Sequence, residues 1–218
     1  MSFAIIITEL RTDELKRILI AVTGASGSIY ANRLLECLLA HNECERVHVI
    51  FSKTAAQVVK HELSGAKHAK KPLIQLLDND LDASTREKVR IHSNEDLFAP
   101  FASGSNAPTA MVIVPGSMGA IARIAQGVSS SLIERAADVM LKQKRSLLVC
   151  PRESPLGLIH LRNMTTLCEA GAQIIPLMPG FYNRPTTIDD IVDFCVGRIL
   201  EQLDLSHDLY RPWNSRMG

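Results

Sequence analysis

Four short turns carry the residue types that could hold an anion and move a proton. Thr23-Gly-Ala-Ser-Gly27, Ser52-Lys53, Pro115-Gly-Ser-Met-Gly119 and Pro151-Arg-Glu153 each follow a run of apolar residues. Glycine lets the backbone approach a ligand closely, and a helix that begins at such a turn offers unpaired N–H groups to an anion. Serine hydroxyls add further donors. The combination points to a phosphorylated, nucleotide-like ligand. Taken singly, each turn also reads as ordinary loop punctuation, so the argument for a site rests on their number and placement.

The first turn lacks the third glycine of G-x-G-x-x-G. The second ends in Ser52-Lys53, where a dinucleotide site places Asp or Glu against the ribose 2′-OH. Lys53 leaves a 2′-phosphate, as in NADP, open; a mononucleotide such as FMN fits better. Arg152 and Glu153 stand at a strand end, where a guanidinium could clamp phosphate and a carboxylate could move protons, or where the two could close a loop as an ion pair. Arg135, Asp138 and Lys142 are spaced for i+3 and i+4 pairs on a solvated helix face. Arg198, with Ile191 and Phe194 on its helix, calls for a partner. Tyr182, in the loop Pro179–Pro185, is placed either to donate to phosphate or to cap the core. The seven histidines show no H-E-x-x-H and no cluster with cysteine, so no metal site is expected. No G-x-S-x-G is present, and Ser26 has no evident His–Asp partners, which argues against a hydrolase triad.

The elements that must position these residues follow from hydrophobic patterning. Near-continuous apolar runs at 17–23, 47–51, 110–114 and 147–150 predict strands buried on both faces, with shorter strands at 89–93 and 173–176. Helices are predicted over 29–40, 53–63, 131–143 and 158–169, with Leu34, Leu35 and Leu38 inward on the first and Ile133, Ala136, Ala137 and Met140 on the third. A last helix opens at Thr187 with Asp190 three residues on, and Ile188, Ile191, Cys195 and Ile199 as its buried stripe. Residues 64–88 have weak periodicity, and 94–109 read as a long loop of the kind that tends to be functional. Alternating strands and helices predict one α/β domain, a doubly wound parallel sheet with helices on both faces.

With 218 residues, 46% apolar and 22% charged, the chain is expected to form a single globular domain. A net charge of +1 without a basic stripe argues against nucleic acid and membrane surfaces as partners. Five cysteines without a C-x-x-C pair suggest reduced thiols in a cytoplasmic setting. Residues 1–15 read as a leader outside the core.

Thr23-Gly-Ala-Ser-Gly27, Phe51-Ser-Lys53, Ala102-Ser-Gly-Ser105, Leu132-Ile-Glu-Arg-Ala-Ala-Asp138, Pro151-Arg-Glu153 and Pro179-Gly-Phe-Tyr182 with Arg184-Pro185 occur in an order that resembles UbiX-type flavin prenyltransferases, across residues 16–213. The resemblance implies a Rossmann-like domain over 16–205, a tail at 206–218 that contributes to the pocket, and a dodecamer. It implies a metal-independent enzyme that joins a dimethylallyl group from dimethylallyl phosphate to N5 and C6 of reduced FMN. The prenylated FMN would serve a UbiD-type decarboxylase, often in ubiquinone biosynthesis. By position, Gly24, Ala25 and Ser26 match the first flavin loop and Ser52 the second contact. Ser117, Met118, Gly119 and Ala120 match the third, with Arg152 beside it. Glu62, Arg135, Lys142, Glu153, Tyr182 and Arg198 match the group around the prenyl phosphate that also shuttles protons, and Trp213 an aromatic lining the prenyl pocket. Ser26, Glu62 and Glu153 are thereby the expected catalytic residues. Where many members read Pro-Cys-Ser-x-Gly-Thr, this chain has Pro115-Gly-Ser-Met-Gly-Ala120, which removes a thiol and a hydroxyl but leaves the backbone cradle.

Two other readings stand beside this one. An FMN-dependent cysteine decarboxylase of the phosphopantothenoylcysteine type would use a histidine, a place His61 could take, but its P-x-M-N-x-x-M-W-type substrate loop is absent. A non-catalytic flavin-binding subunit would be expected to lose several of Arg135, Lys142, Glu153, Tyr182 and Arg198, and all five are present.

Overall fold

The computed structural model describes residues 15–64 and 72–213, so the expected leader falls almost wholly outside the described residues. The described residues form a six-stranded sheet in which every pairing is parallel. The strands are β1 (Lys16–Val22), β2 (Cys44–Phe51), β3 (Val89–His92), β4 (Ala110–Gly116), β5 (Ser146–Pro151) and β6 (Gln173–Ile174). Their order, β3-β2-β1-β4-β5-β6, reverses direction between β1 and β4. That reversal is the point at which α/β sheets bind ligands.

Alternate residues of each strand feed two separate cores. Ile18, Ile20 and Val22 of β1 join Val47, Val49, Val112 and Val114 on one face, under α1 (Ser28–Ala40), α2 (Lys53–Leu63), α3 (Pro72–Asp78) and α8 (Ile188–Gln202). Leu19 and Ala21 join Met111, Ile113, Leu147 and Val149 on the other, under α5 (Met118–Ala125), α6 (Leu132–Lys142) and α7 (Leu158–Glu169). Burial on both faces is why these strands read as unbroken apolar runs rather than as alternation.

Several elements depart from expectation. β2 begins at Cys44, β4 runs through Pro115 to Gly116, and β5 spans Ser146–Pro151, while β6 pairs only over Gln173–Ile174. α5 has no counterpart in the predicted elements, because its eight residues directly follow the third turn. Residues 72–88 hold α3 and the short α4 (Ala83–Lys88), where Leu73 and Leu76 supply the buried contacts. The long loop contains two single turns of tighter helix at Pro100–Ala102 and Gly104–Asn106, and Phe101 is buried. On α8, Ile188 is 58% exposed, and the stripe is Val192, Cys195, Val196, Ile199 and Leu200. The first turn of α8 instead serves as a cap: Thr187 and Asp190 form a reciprocal capping box. The inward residues expected on α1 and α6 are all buried.

A histidine pair lies against the sheet near its β3 edge. His48 Nδ1 and His92 Nε2 are 2.9 Å apart, and Phe101 meets both rings edge-on. Burial, then the facing charges of His92, Arg46, Arg17 and Arg90, push His48 down to about 4. Burial also lowers His92, against the pull of Asp96. The unfolded chain takes these protons near pH ~6.5, the folded one only at lower pH. Between pH ~6.5 and ~5 the unfolded state therefore binds more protons, and stability falls with acid. Urea midpoints should drop measurably across that window, and His48→Leu should flatten the slope; an unchanged slope would contradict the account.

Candidate active site

The four turns lie at the carboxyl ends of β1, β2, β4 and β5 and are bonded to one another. Thr23, 2% exposed, donates its hydroxyl to Pro115 O at 2.6 Å and accepts Ser117 N–H at 2.7 Å. Ser52 N–H donates to Val22 O at 2.9 Å. Arg152 donates its backbone N–H to Gly116 O at 3.2 Å and its Nε–H to Ser26 O at 3.1 Å. Ser26, Ser117 and Arg152 are thus brought together by direct bonds across the strand ends. Arg152 does not pair with Glu153, whose Oε1 accepts Ser154 N–H at 3.0 Å.

Glu62, from the last turn of α2, reaches the start of α1. Its carboxylate accepts Gly27 N–H at 3.0 Å and Ser28 N–H at 2.8 Å. Gly27 sits at φ 111°, the left-handed conformation that glycine tolerates. Burial raises the Glu62 carboxyl, but hydrogen bonds from Ser26, Ser28 and Gly27 outweigh it and hold the group below its ordinary value. The N–H groups expected to await an anion at the first turn therefore already have a carboxylate. Ser26 itself is exposed, with its hydroxyl beside that carboxylate.

The open helix starts are the second and third. Ser52 Oγ accepts Ala55 N–H at 3.1 Å, and Ser117 Oγ accepts Ala120 N–H at 3.4 Å. As N-caps these oxygens are engaged while their O–H hydrogens remain available to a ligand. Both serines line a cavity of about 360 Å³ together with Thr23, Gly24, Asn94 and Arg123. That volume lies within the roughly 300–1,000 Å³ of small-molecule sites. Gly24 belongs at this wall, since a Cβ there would stand 2.8 Å from Thr54 Cβ.

Not every expected flavin contact offers its side chain. Met118 packs into the second core, and Ala25 is 5% exposed. A Cβ at Gly116 would stand 3.1 Å from Cys150 O and 3.3 Å from Ile121 Cδ1, so a side chain at 116 would press on β5 and α5. Gly116 itself does not line the cavity. Gly119 and Ala120 do line it.

The expected donor-phosphate residues fall into two groups. Arg135 and Lys142 flank Asp138 on α6 at 3.6 and 3.2 Å, as the spacing predicts, but α6 faces the cavity with Ser131, Ile133 and Glu134 instead. Tyr182 and Trp213 line a second cavity of about 630 Å³, with ring centroids 5.2 Å apart, and Tyr182 meets Phe194 edge-on at 5.6 Å. Residues 209–213 of the tail line this cavity; 214–218 lie outside the described residues. Arg198 finds its partner in Glu201, which also accepts the Tyr210 hydroxyl and faces His207 Nε2 at 3.6 Å. A hydrogen bond with Tyr210 raises the Arg198 guanidinium further, while burial and then Glu201 push Tyr210 up to about 12.

Sequence reasoning missed Asn94, Arg123 and Glu134. Asn94 Oδ1 accepts Ile133 N–H at 3.1 Å, anchoring the long loop to the start of α6. Glu134, 2% exposed, accepts Arg123 Nε–H and both Ser130 and Ser131 N–H groups. Burial raises its carboxyl and these bonds, with Arg123 first, bring it below the ordinary range. A buried glutamate three residues after Ser131 was the available signal, as a capping box.

Replacing Thr23 by Val should cost about 1–3 kcal/mol in urea unfolding, because the Ser117 N–H loses its partner in a buried place. A neutral result would show that this bridge does not hold the turns.

A flavoprotein family model matches residues 6–200. The chain is 43% identical over 201 residues to the flavin prenyltransferase UbiX of Pseudomonas aeruginosa, covering 92% of this chain and 95% of that protein. It is 40% identical to UbiX of Methanocaldococcus jannaschii, covering 91% and 99%. The crystal structure of AnUbiX (PadA1) with FMN and dimethylallyl pyrophosphate superposes at TM-score 0.79, with 36% identity over 92% of this chain and 98% of that one. A dodecameric FMN-dependent UbiX-like decarboxylase from Escherichia coli O157:H7 also gives 0.79, at 34% identity over 91% and 100%. A PPC decarboxylase, at 18% identity and TM-score 0.52 over 78% of this chain and 85% of that one, shares the fold.

Proposed function

Because the chain belongs to the UbiX-type flavin prenyltransferases of the flavoprotein family, we propose that it joins a dimethylallyl group from dimethylallyl phosphate to N5 and C6 of reduced FMN. The observation that carries this reading is the convergence of the first three turns on one cavity at the β1/β4 reversal, with the fourth bonded to the first and third through Arg152. Two serine-capped helix starts and their hydroxyls suit a phosphate, and the close Gly24–Thr54 approach suits a ligand lying against backbone. These features fit a flavin mononucleotide better than a dinucleotide, which lacks its carboxylate after β2.

When bound, reduced FMN supplies the nucleophilic N5 and C6. This chain's residues do the rest. Arg152 spans the first and third turns and orients the phosphate-bearing end. Ser26, hydrogen-bonded to the ionised Glu62, is placed to donate or receive a proton at the flavin. Tyr182 and Arg198 stabilise negative charge leaving with the donor phosphate, and Arg135 and Lys142 add to it. Trp213, Tyr182 and Phe194 give a polarisable aromatic wall beside which an allylic cation can form. Glu153, exposed at the end of β5, exchanges a proton with the departing phosphate.

Arg135 and Lys142 point from a face of α6 outside both cavities, so assembly of copies into a homo-oligomer, a dodecamer in this reading, belongs to the proposal. Exposed apolar side chains support it: Phe98 is 99% exposed, Ile159 72% and Leu158 62%. The product would pass to a UbiD-type decarboxylase, with ubiquinone biosynthesis in the cytoplasm as the setting. No helix among the described residues is long and apolar enough to cross a membrane. The cysteine decarboxylase reading has only the shared fold behind it.

Anaerobic incubation with reduced FMN and dimethylallyl phosphate should give extracted flavin heavier by one five-carbon unit. Unaltered flavin from folded protein would favour a flavin-binding subunit instead. Glu153→Gln should lower kcat about 100-fold or more while leaving FMN affinity within about twofold; normal turnover would remove Glu153 from its role.

A further inference from the structure

We infer that Arg123 binds the phosphate of the flavin mononucleotide, through a guanidinium that the buried Glu134 holds at the mouth of the third turn. The inference rests on the flavin reading of this cavity and assigns it a residue that the family resemblance does not.

Arg123 lies one helical turn after Ala120 on α5, and helical side chains lean back toward the N-terminus. It does so here: a Cβ at Gly119 would stand 3.6 Å from Arg123 Nη1. The guanidinium therefore sits beside the opening turn of α5, where free N–H groups and the positive end of the helix already favour an anion. Arg123, Ser117, Gly119 and Ala120 line the same cavity.

The pair with Glu134 is lopsided. The Glu134 side chain is 3% exposed and that of Arg123 52%. Glu134 Oε1 takes Nε–H, while Oε2 takes Ser130 N–H, Ser130 O–H and Ser131 N–H at 2.7–3.0 Å. The carboxylate is thus hydrogen-bonded at both oxygens and fixed in the cavity wall. Among the described residues, Nη1 and Nη2 have no hydrogen-bond partner. A surface ion pair tying α5 to α6 would leave both ends in solvent, and its geometry would be loose. Here both residues line the cavity, but the carboxylate oxygens are taken up by Arg123, Ser130 and Ser131, and the guanidinium's free edge has the planar fork that engages two phosphate oxygens.

The assignment also accounts for position 120. Alanine there offers no hydroxyl to a phosphate, in contrast to the threonine of the family pattern. Arg123, on the next turn and the same face, supplies donors in its place. Lys53, on the opposite wall, adds a second positive charge.

The test compares ligands with and without the phosphate. Oxidised FMN and riboflavin are titrated by flavin fluorescence into the full chain, as wild type and as Arg123→Ala, Arg123→Met and Arg123→Lys. Loss of FMN affinity by about 10- to 100-fold in the Ala and Met variants is expected, with riboflavin within about twofold. Arg123→Lys should recover part of the loss, since it restores charge without the fork. Equal losses for both ligands would assign Arg123 a structural role and overturn the inference, as would no loss for either. Wild type that binds neither ligand would overturn the flavin reading itself, whereas wild type that binds FMN beside an unimpaired Arg123→Ala would overturn only the role of Arg123. The Met variant keeps the length of the stem, so it carries the same readout should the Ala variant fail to fold.

Discussion

The arrangement of the site depends on one buried hydroxyl. Thr23 Oγ1 joins the end of β1 to the turn after β4, donating to Pro115 O and accepting from Ser117 N. These are the two strands between which the sheet order reverses. The Thr23 backbone N–H also reaches Pro115 O, at 3.3 Å, but the hydroxyl alone of these two groups holds Ser117. With it, Ser117 is held where its side chain caps α5, and Arg152 can span both turns from β5. The pocket is a property of the sheet's topology that one side chain makes rigid.

Around that bridge the helix starts divide into two kinds. α1 and α6 begin against carboxylates, Glu62 and Glu134, which accept their leading N–H groups and are held ionised by doing so. α6 has a serine cap as well, Ser131, but α2 and α5 begin with serine caps and no carboxylate, and they face the cavity. The positive ends of those two helices are therefore the ones left to an anion. The two glutamates do more than fill vacant amides. Each also holds a neighbouring donor, the Ser26 hydroxyl in one case and the Arg123 guanidinium in the other. The same carboxylate chemistry both closes a helix and aims a donor.

Much of the fold could be read in the chain because burial on both faces leaves an unmistakable mark. β1, β4 and β5 are apolar without interruption, and α1 and α6 place their leucines and alanines inward as their periodicity requires. The turns were legible only together: glycine and serine at one strand end are ordinary loop residues, and four such ends in one sheet are what marked a site. What escaped notice was short. α5 is eight residues long, α3 seven and α4 six, and α4 buries none of its residues. Ile188 was misplaced because a capping turn precedes the buried stripe, and hydropathy alone does not separate the two. Within the site, Arg123 and Glu134 were hidden by being eleven residues apart on different helices, a pairing that only the packing of α5 on α6 creates.

Arg198, which adjoins Tyr210 of the second cavity but lines a neighbouring one, raises a different physical question. Arg198 is not a vacant charge awaiting phosphate, since Glu201 occupies it and Tyr210 braces the pair. A donor phosphate that uses Arg198 must share or displace that carboxylate. A dianion can do so where a monoanion would not, because the exchange replaces one negative charge by a larger one beside the same guanidinium. After the leaving group departs, Glu201 can return to the guanidinium and help to release the product phosphate. A residue that weakens ground-state binding of phosphate can in this way favour turnover, because binding energy spent equally on substrate and transition state does not accelerate the chemical step.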